Sequence, residues 1–169
     1  PDHGQLIDIS CTEKGDIFIC DYEKDSVYYC KLTPDLLKAE LMQVISVKTP
    51  IRCETSPQGK LFVLSEKSVV EKWIQEKGHY QKEKQFQIKE KETRELWKDL
   101  TIFKENRVAL LGDKKIDQYT GRGDKIQSLP LPSTQNAIEN TIYGDYILVG
   151  KSTGTMMKIT NKGEFLASF

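Results

Sequence analysis

Histidine is nearly absent from this chain: among 169 residues only His3 and His79 occur. Neither a Cys-x-x-Cys nor a His-Glu-x-x-His spacing exists, so the linear ligand patterns of zinc sites are missing. The four cysteines, Cys11, Cys20, Cys30 and Cys53, fall inside apolar, strand-like runs rather than in turns. That placement reads as reduced, half-buried thiols of a cytoplasmic protein, not as a disulfide framework. A cysteine nucleophile needs a base beside it, and no histidine lies in the apolar register of a cysteine-bearing segment. The expectation is a protein that is not an enzyme, with no metal and no cofactor.

Charge of one sign is missing as well. Lys plus Arg, 25, equals Asp plus Glu, 25, so no global field draws the protein to nucleic acid or to an anionic membrane, and any such binding must come from a local patch. Long apolar runs are also lacking. Ile142 to Val149 is interrupted by Gly144 and Asp145 and falls far short of the roughly 20 residues of a membrane span, so no membrane insertion is expected. No charged and apolar leader pair opens the chain, which starts at Pro1-Asp2-His3-Gly4 without Met; the expectation is a piece of a longer protein.

What is present is a repeat. Short segments rich in Val, Ile, Leu, Phe and Tyr, punctuated by Gly, Asp, Asn and Pro, run from end to end, the spacing of an all-β sandwich, barrel or propeller. The last apolar residues of four corresponding strands, Leu32, Ile74, Tyr119 and Ile159, lie 42, 45 and 40 residues apart. Ile74 is followed by Gly78, Tyr119 by Gly123 and Ile159 by Gly163, while Leu32 leads into Pro34-Asp35. Glycine at a fixed offset has a physical cause, since tight hairpins between twisted strands need positive φ. Four strands per unit of this length predict four consecutive four-stranded blades of a β-propeller. The blades span residues 6–44, 51–88, 99–131 and 136–169, with a charged insertion over 89–98.

The stretches "KIDQYTGRGDKIQSL" (115–129) and "MMKITNKGEFLASF" (156–169), with "CDYEKDSVYYC" (20–30), resemble the NHL repeat. That resemblance implies a propeller of the kind found at the end of tripartite-motif ubiquitin ligases, where one face binds protein or RNA. NHL propellers usually have six blades, so the resemblance also implies completion by further blades or by pairing between chains, as a homo-dimer.

Three motifs read as structure. "GKST" at Gly150 to Thr153 lacks the upstream glycine at phosphate-loop spacing. "GRGDK" at Gly121 to Lys125 places its Arg-Gly-Asp at a hairpin tip where Gly123 is the required turn residue. The aromatics Phe18, Tyr28, Phe62, Trp73, Phe103, Tyr119, Tyr146 and Phe165 fall at strand positions and are expected in the core.

Propellers bind through the loops at one rim. Here these are 21–25, 65–67, 112–114 and 150–154, with crossings at 46–50, 89–98 and 132–135. Lys24, Lys48, Lys67, Lys114 and Lys151 recur among them, and Trp97 lies in the insertion, where it either centres a partner-docking loop or begins the next strand and packs in the core. These six are the candidate binding residues. The leading functional expectation is a non-catalytic protein-interaction scaffold; single-stranded RNA on a lysine-bearing rim is the alternative.

Overall fold

The computed structural model describes residues 4–35, 37–88, 96–103, 106–141, 144–150 and 154–169. The chain divides into two compact units, residues 1–88 and 89–169. The first unit holds two sheets, β1 (Leu6–Cys11), β2 (Asp16–Asp21), β3 (Ser26–Leu32) and β4 (Ala39–Ser46), then β5 (Pro50–Thr55), β6 (Leu61–Ser65), β7 (Val69–Glu76) and β8 (His79–Gln87). The second holds β9 (Asp99–Ile102), β10 (Val108–Leu111), β11 (Lys115–Tyr119) and β12 (Lys125–Pro130), then β13 (Ala137–Asn140), β14 (Tyr146–Gly150), β15 (Thr155–Ile159) and β16 (Phe165–Ser168). Each sheet is an antiparallel meander of four strands in chain order. These are blades of a β-propeller, and the described residues contain no α-helix.

Position within a sheet explains composition. The second strand of a blade is covered on both faces, so Leu61–Ser65 and Val108–Leu111 are buried along their whole length and read as unbroken apolar runs. The fourth strand is covered least, and β4, β8, β12 and β16 are mostly exposed. Phe165, expected in the core, lies on β16 and is 61% exposed. Its apolar character followed strand period, while its exposure follows from the outermost strand having a single neighbour. Phe18, Phe62, Trp73, Tyr119 and Tyr146 are buried as expected.

In the first unit the core is aromatic. Phe18 stacks on Tyr29 with centroids 5.3 Å apart, and Tyr80 meets both edge-on at 5.0 and 5.1 Å, pairs worth about 0.5–1.5 kcal/mol each beyond area burial. Gln43 of β4 brackets Tyr80 of β8 with both ends of its side-chain amide: its Nε2 donates to the Tyr80 carbonyl at 2.9 Å and its Oε1 accepts from the Tyr80 amide at 2.7 Å. In the second unit Phe103 meets Tyr146 edge-on at 5.0 Å within an aliphatic cluster that includes Leu111, Ile116, Leu148 and Ile159.

At their first strands the blades are joined by a carboxylate that reaches across to the next sheet. Asp8 Oδ2 accepts from the Cys53 amide at 2.7 Å, and Asp99 Oδ2 accepts from the Ile138 amide at 3.0 Å. Two residues on, Ser10 bonds Glu54 and Thr101 bonds Glu139, at 3.5 and 3.3 Å. Each glutamate also accepts from the amide that follows it. The two units therefore repeat one interblade joint, Asp-x-Ser/Thr on the leading blade and an x-Glu pair on the next.

Away from the rim, one turn recurs. In Thr12–Asp16, Ser56–Lys60, Thr120–Asp124, Thr141–Asp145 and Thr160–Glu164 the first amide donates to the last carbonyl and the glycine amide returns to the first carbonyl. In each, the Ser/Thr hydroxyl accepts from the last residue's amide. The Arg-Gly-Asp tripeptide is one of these turns, with Thr120 holding the Arg122 amide and the Asp124 carboxylate. Gly59 has φ +75° and open space where a Cβ would lie, so Gly59→Ala isolates the backbone cost. It is expected to lower stability by about 1–2 kcal/mol, read as a shifted urea midpoint with unchanged slope; an unshifted midpoint counts against the turn's need for glycine.

Candidate binding rim

In the first unit three rim loops are hydrogen-bonded into one surface. The loop between β2 and β3 is anchored by Asp21, which is fully buried. Asp21 accepts from the Gly4 and Lys24 amides and from the Tyr28 hydroxyl, at 3.0, 3.1 and 3.1 Å. From this loop Asp25 reaches the β4–β5 crossing: its carbonyl accepts from the Val47 amide and its Oδ1 accepts from the Thr49 amide at 2.8 Å. The Thr49 carbonyl then accepts from the Glu66 amide in the β6–β7 loop, and Tyr22 closes the circuit by donating to Glu66 Oε2 at 2.8 Å. Gln87 secures the far side by donating to the Lys67 and Ser68 carbonyls.

This surface is held in an unusual backbone conformation. Asp25, Thr49 and Ser68 have φ of 50°, 43° and 57°, the left-handed region that L-residues avoid and β-branched residues avoid most. The Thr49 hydroxyl oxygen is buried with no hydrogen-bond partner among the described residues. Lys24, Lys48 and Lys67 all stand exposed on these three loops. Glu23, Asp25 and Glu66, also exposed, interleave with them, so the face is of mixed charge rather than a cationic stripe.

The rim loops of the second unit differ. Lys114 is exposed, whereas Lys151 lies outside the described residues. Trp97 is buried, 5% exposed, with the Lys115 ammonium 5.4 Å from its ring centroid. The indole therefore packs inside its unit. Its neighbour Lys98 forms an ion pair with Asp113 at 2.6 Å and donates to the Gln135 carbonyl at 3.4 Å. Sequence reading placed Lys24, Lys48, Lys67 and Lys114 on loops but missed Tyr22, Thr49 and Gln87, which knit those loops together; no local signal marks them, because their partners lie in other turns. Asp117 is a fully buried β11 carboxylate that pairs with Lys125 at 2.6 Å and Lys115 at 3.5 Å and takes the Ser128 hydroxyl.

The Asp21 anchor has a pH signature. Burial alone would raise its carboxyl, but the Gly4 and Lys24 amides, the Tyr28 hydroxyl and the Lys24 charge outweigh that and hold it below the ordinary value of 3.8. A lowered folded-state value means stability that is complete above the ordinary carboxyl range and is lost as pH falls through the folded value. Asp21→Asn should remove that acid-side loss and cost roughly 1–3 kcal/mol near neutral pH. Urea titrations at neutral pH and below pH ~4 check both, and equal neutral stability of the two proteins contradicts the anchor.

No protein-family profile matches the chain, and no curated protein sequence does. Solved structures do match. Hydrazine synthase of Kuenenia stuttgartiensis aligns over 99% of this chain and 49% of its own, at 15% identity and TM-score 0.74. A putative 6-phosphogluconolactonase of Bacteroides uniformis aligns over 96% and 53%, at 13% identity and TM-score 0.77. A nidogen/laminin complex aligns over 99% and 64%, at 13% identity and TM-score 0.73. The chain thus spans roughly half to two thirds of the length of these structures. The expectation that the chain is not an enzyme is corrected by the first two: this fold carries enzymes as well as binding proteins, and a site assembled from loops of separate blades leaves no linear catalytic motif to be read. At these identities the likeness shows the fold, the β-propeller, and leaves the NHL resemblance unconfirmed.

Proposed function

We propose that the chain is a protein-recognition propeller whose binding face is the rim of the first unit. The observation that carries this reading is the hydrogen-bonded circuit Asp25–Thr49–Glu66–Tyr22, which holds Lys24, Lys48 and Lys67 on one preorganised surface. Preorganisation lowers the entropy a loop surface loses on binding. The interleaved Glu23, Asp25 and Glu66 favour a polypeptide of mixed charge over a polyphosphate, which needs an excess of cations to release counterions. The likeness to a nidogen/laminin complex supports a polypeptide partner. The NHL-like alternation in β11–β12 and β15–β16 supports a tripartite-motif setting, with the chain at the substrate-recognising end of a ubiquitin ligase. The four free cysteines suit a reducing cytoplasm.

The test is affinity capture by immobilised chain, followed by identification of bound polypeptides. The wild type is compared with Lys24→Glu/Lys48→Glu/Lys67→Glu and with a control charge reversal, Lys14→Glu, at the opposite end of the first sheet. Polypeptides lost with the rim variant and kept with the control are the expected result. Fluorescence anisotropy with poly(U) covers RNA. Tight poly(U) binding that weakens steeply between ~50 and ~200 mM salt and vanishes in the rim variant replaces the protein reading with the RNA one.

A further inference from the structure

The interblade joint of the first unit carries a feature that its counterpart in the second unit lacks. Asp8, Cys20 and Cys53 bring a carboxylate oxygen and two sulfurs within 4.8 Å of one another. No other such group of acidic, cysteine or histidine side chains occurs among the described residues. Cys20 is 0% and Cys53 3% exposed, while Asp8 is half-buried. The cysteines stand 33 positions apart, and stacking of the first blade on the second brings them together. Asp8 pairs with Cys20 across β1 and β2, and its Oδ2 holds the Cys53 amide. The Cys53 thiol lies against both the Asp8 carboxylate and the Cys20 thiol.

The second unit is an internal control for what the fold needs. There Asp99 occupies the place of Asp8, pairs with Leu111 across β9 and β10, and holds the Ile138 amide. Leu111 and Ile138 are buried in an aliphatic core. The capping carboxylate and the packing are thus complete with leucine and isoleucine where the first unit has two thiols. Both cysteines belong to the buried core of the first unit, and the Cys53 thiol also donates to the Phe18 carbonyl at 3.6 Å.

We propose that Asp8, Cys20 and Cys53 form a binding site for a thiophilic divalent cation of the zinc class, set between the first and second blades. Two sulfurs and one carboxylate oxygen are the donor set of a borderline-soft metal. Side-chain movements of the order of 1 Å bring the three atoms to the usual ~2.3 Å zinc–sulfur and ~2.0–2.2 Å zinc–oxygen distances. Coordination replaces the two thiol protons, which leave to solvent. The Cys53 amide bonded to Asp8 Oδ2 orients the carboxylate, as the outer partner of a metal ligand does. Three protein donors leave a fourth position on the half-buried Asp8 side.

The probe is Co²⁺ added to the reduced full chain and read by absorption. Wild type is expected to give a thiolate-to-cobalt charge-transfer band together with the d–d bands of a four-coordinate ion, saturating at a single equivalent and displaced by Zn²⁺. Cys20→Leu/Cys53→Ile, which copies Leu111 and Ile138, should keep the far-ultraviolet circular dichroism of the wild type and lose the band. Asp8→Asn, whose amide oxygen still accepts from Cys53, should weaken binding at least tenfold, and Cys11→Ser/Cys30→Ser should leave it intact. Zn²⁺ should raise the thermal midpoint of the wild type and not that of the Leu/Ile variant. Absence of the charge-transfer band in reduced wild type, or a band that survives Cys20→Leu/Cys53→Ile, overturns the site.

Discussion

A propeller blade cannot bury both of its faces alone, and in each unit of this chain the partner sheet is held by a carboxylate on the innermost strand. Asp8 and Asp99 sit where a backbone amide of the next first strand would otherwise lack a partner, and each accepts from it. A buried amide left unbonded costs roughly 1–3 kcal/mol, so this contact favours one spacing between the sheets. Once the spacing is set, the aromatic contacts of Phe18, Tyr29 and Tyr80 and the Gln43–Tyr80 bracket follow further out along the same pair of blades. The Thr101–Glu139 bond does the same service beside Asp99.

The two ends of the sheets answer to different demands. At one end the Ser/Thr-x-x-Gly turn recurs with the same hydrogen bonds each time, which is what a connection selected for closing a hairpin looks like. At the rim a different bond recurs, from the residue after a fourth strand to the residue before the third: Val47 to Asp25, Ile88 to Ser68 and Leu131 to Lys114. Asp25, Thr49 and Ser68 adopt left-handed backbone there; Asp25 and Thr49 are joined by bonds between loops, while the Ser68 amide bonds Ser65 within its own loop. Left-handed backbone also occurs at Lys77 in the β7–β8 hairpin, so it is the Asp25–Thr49–Glu66–Tyr22 bonding between loops, more than the backbone conformation or the lysines, that distinguishes the rim of the first unit.

The candidate residues show what kind of information a linear reading carries. Lys24, Lys48 and Lys67 were placed on exposed loops because Gly, Asp and strand period mark where strands stop. The charged residues before Trp97 left both a docking loop and a core position open, and it is buried under Lys115; the residues flanking it say nothing of the side chain that covers it from β11. Phe165 failed in the opposite direction, since alternation identifies an apolar position but not whether a neighbouring sheet covers it.

Sixteen short strands, their grouping in fours and the glycines of their hairpins were legible because each depends on residues adjacent in the chain: period-two alternation, strand length and the φ that a tight turn demands. The acts of assembly were not legible. That Thr49 is held between Asp25 and Glu66, that Asp8 reaches the Cys53 amide, and that Cys20 meets Cys53 without any cysteine spacing to announce it were decided by the stacking of one sheet on the next. Stacking joins side chains tens of residues apart through distance and burial, quantities that no local pattern of residues encodes.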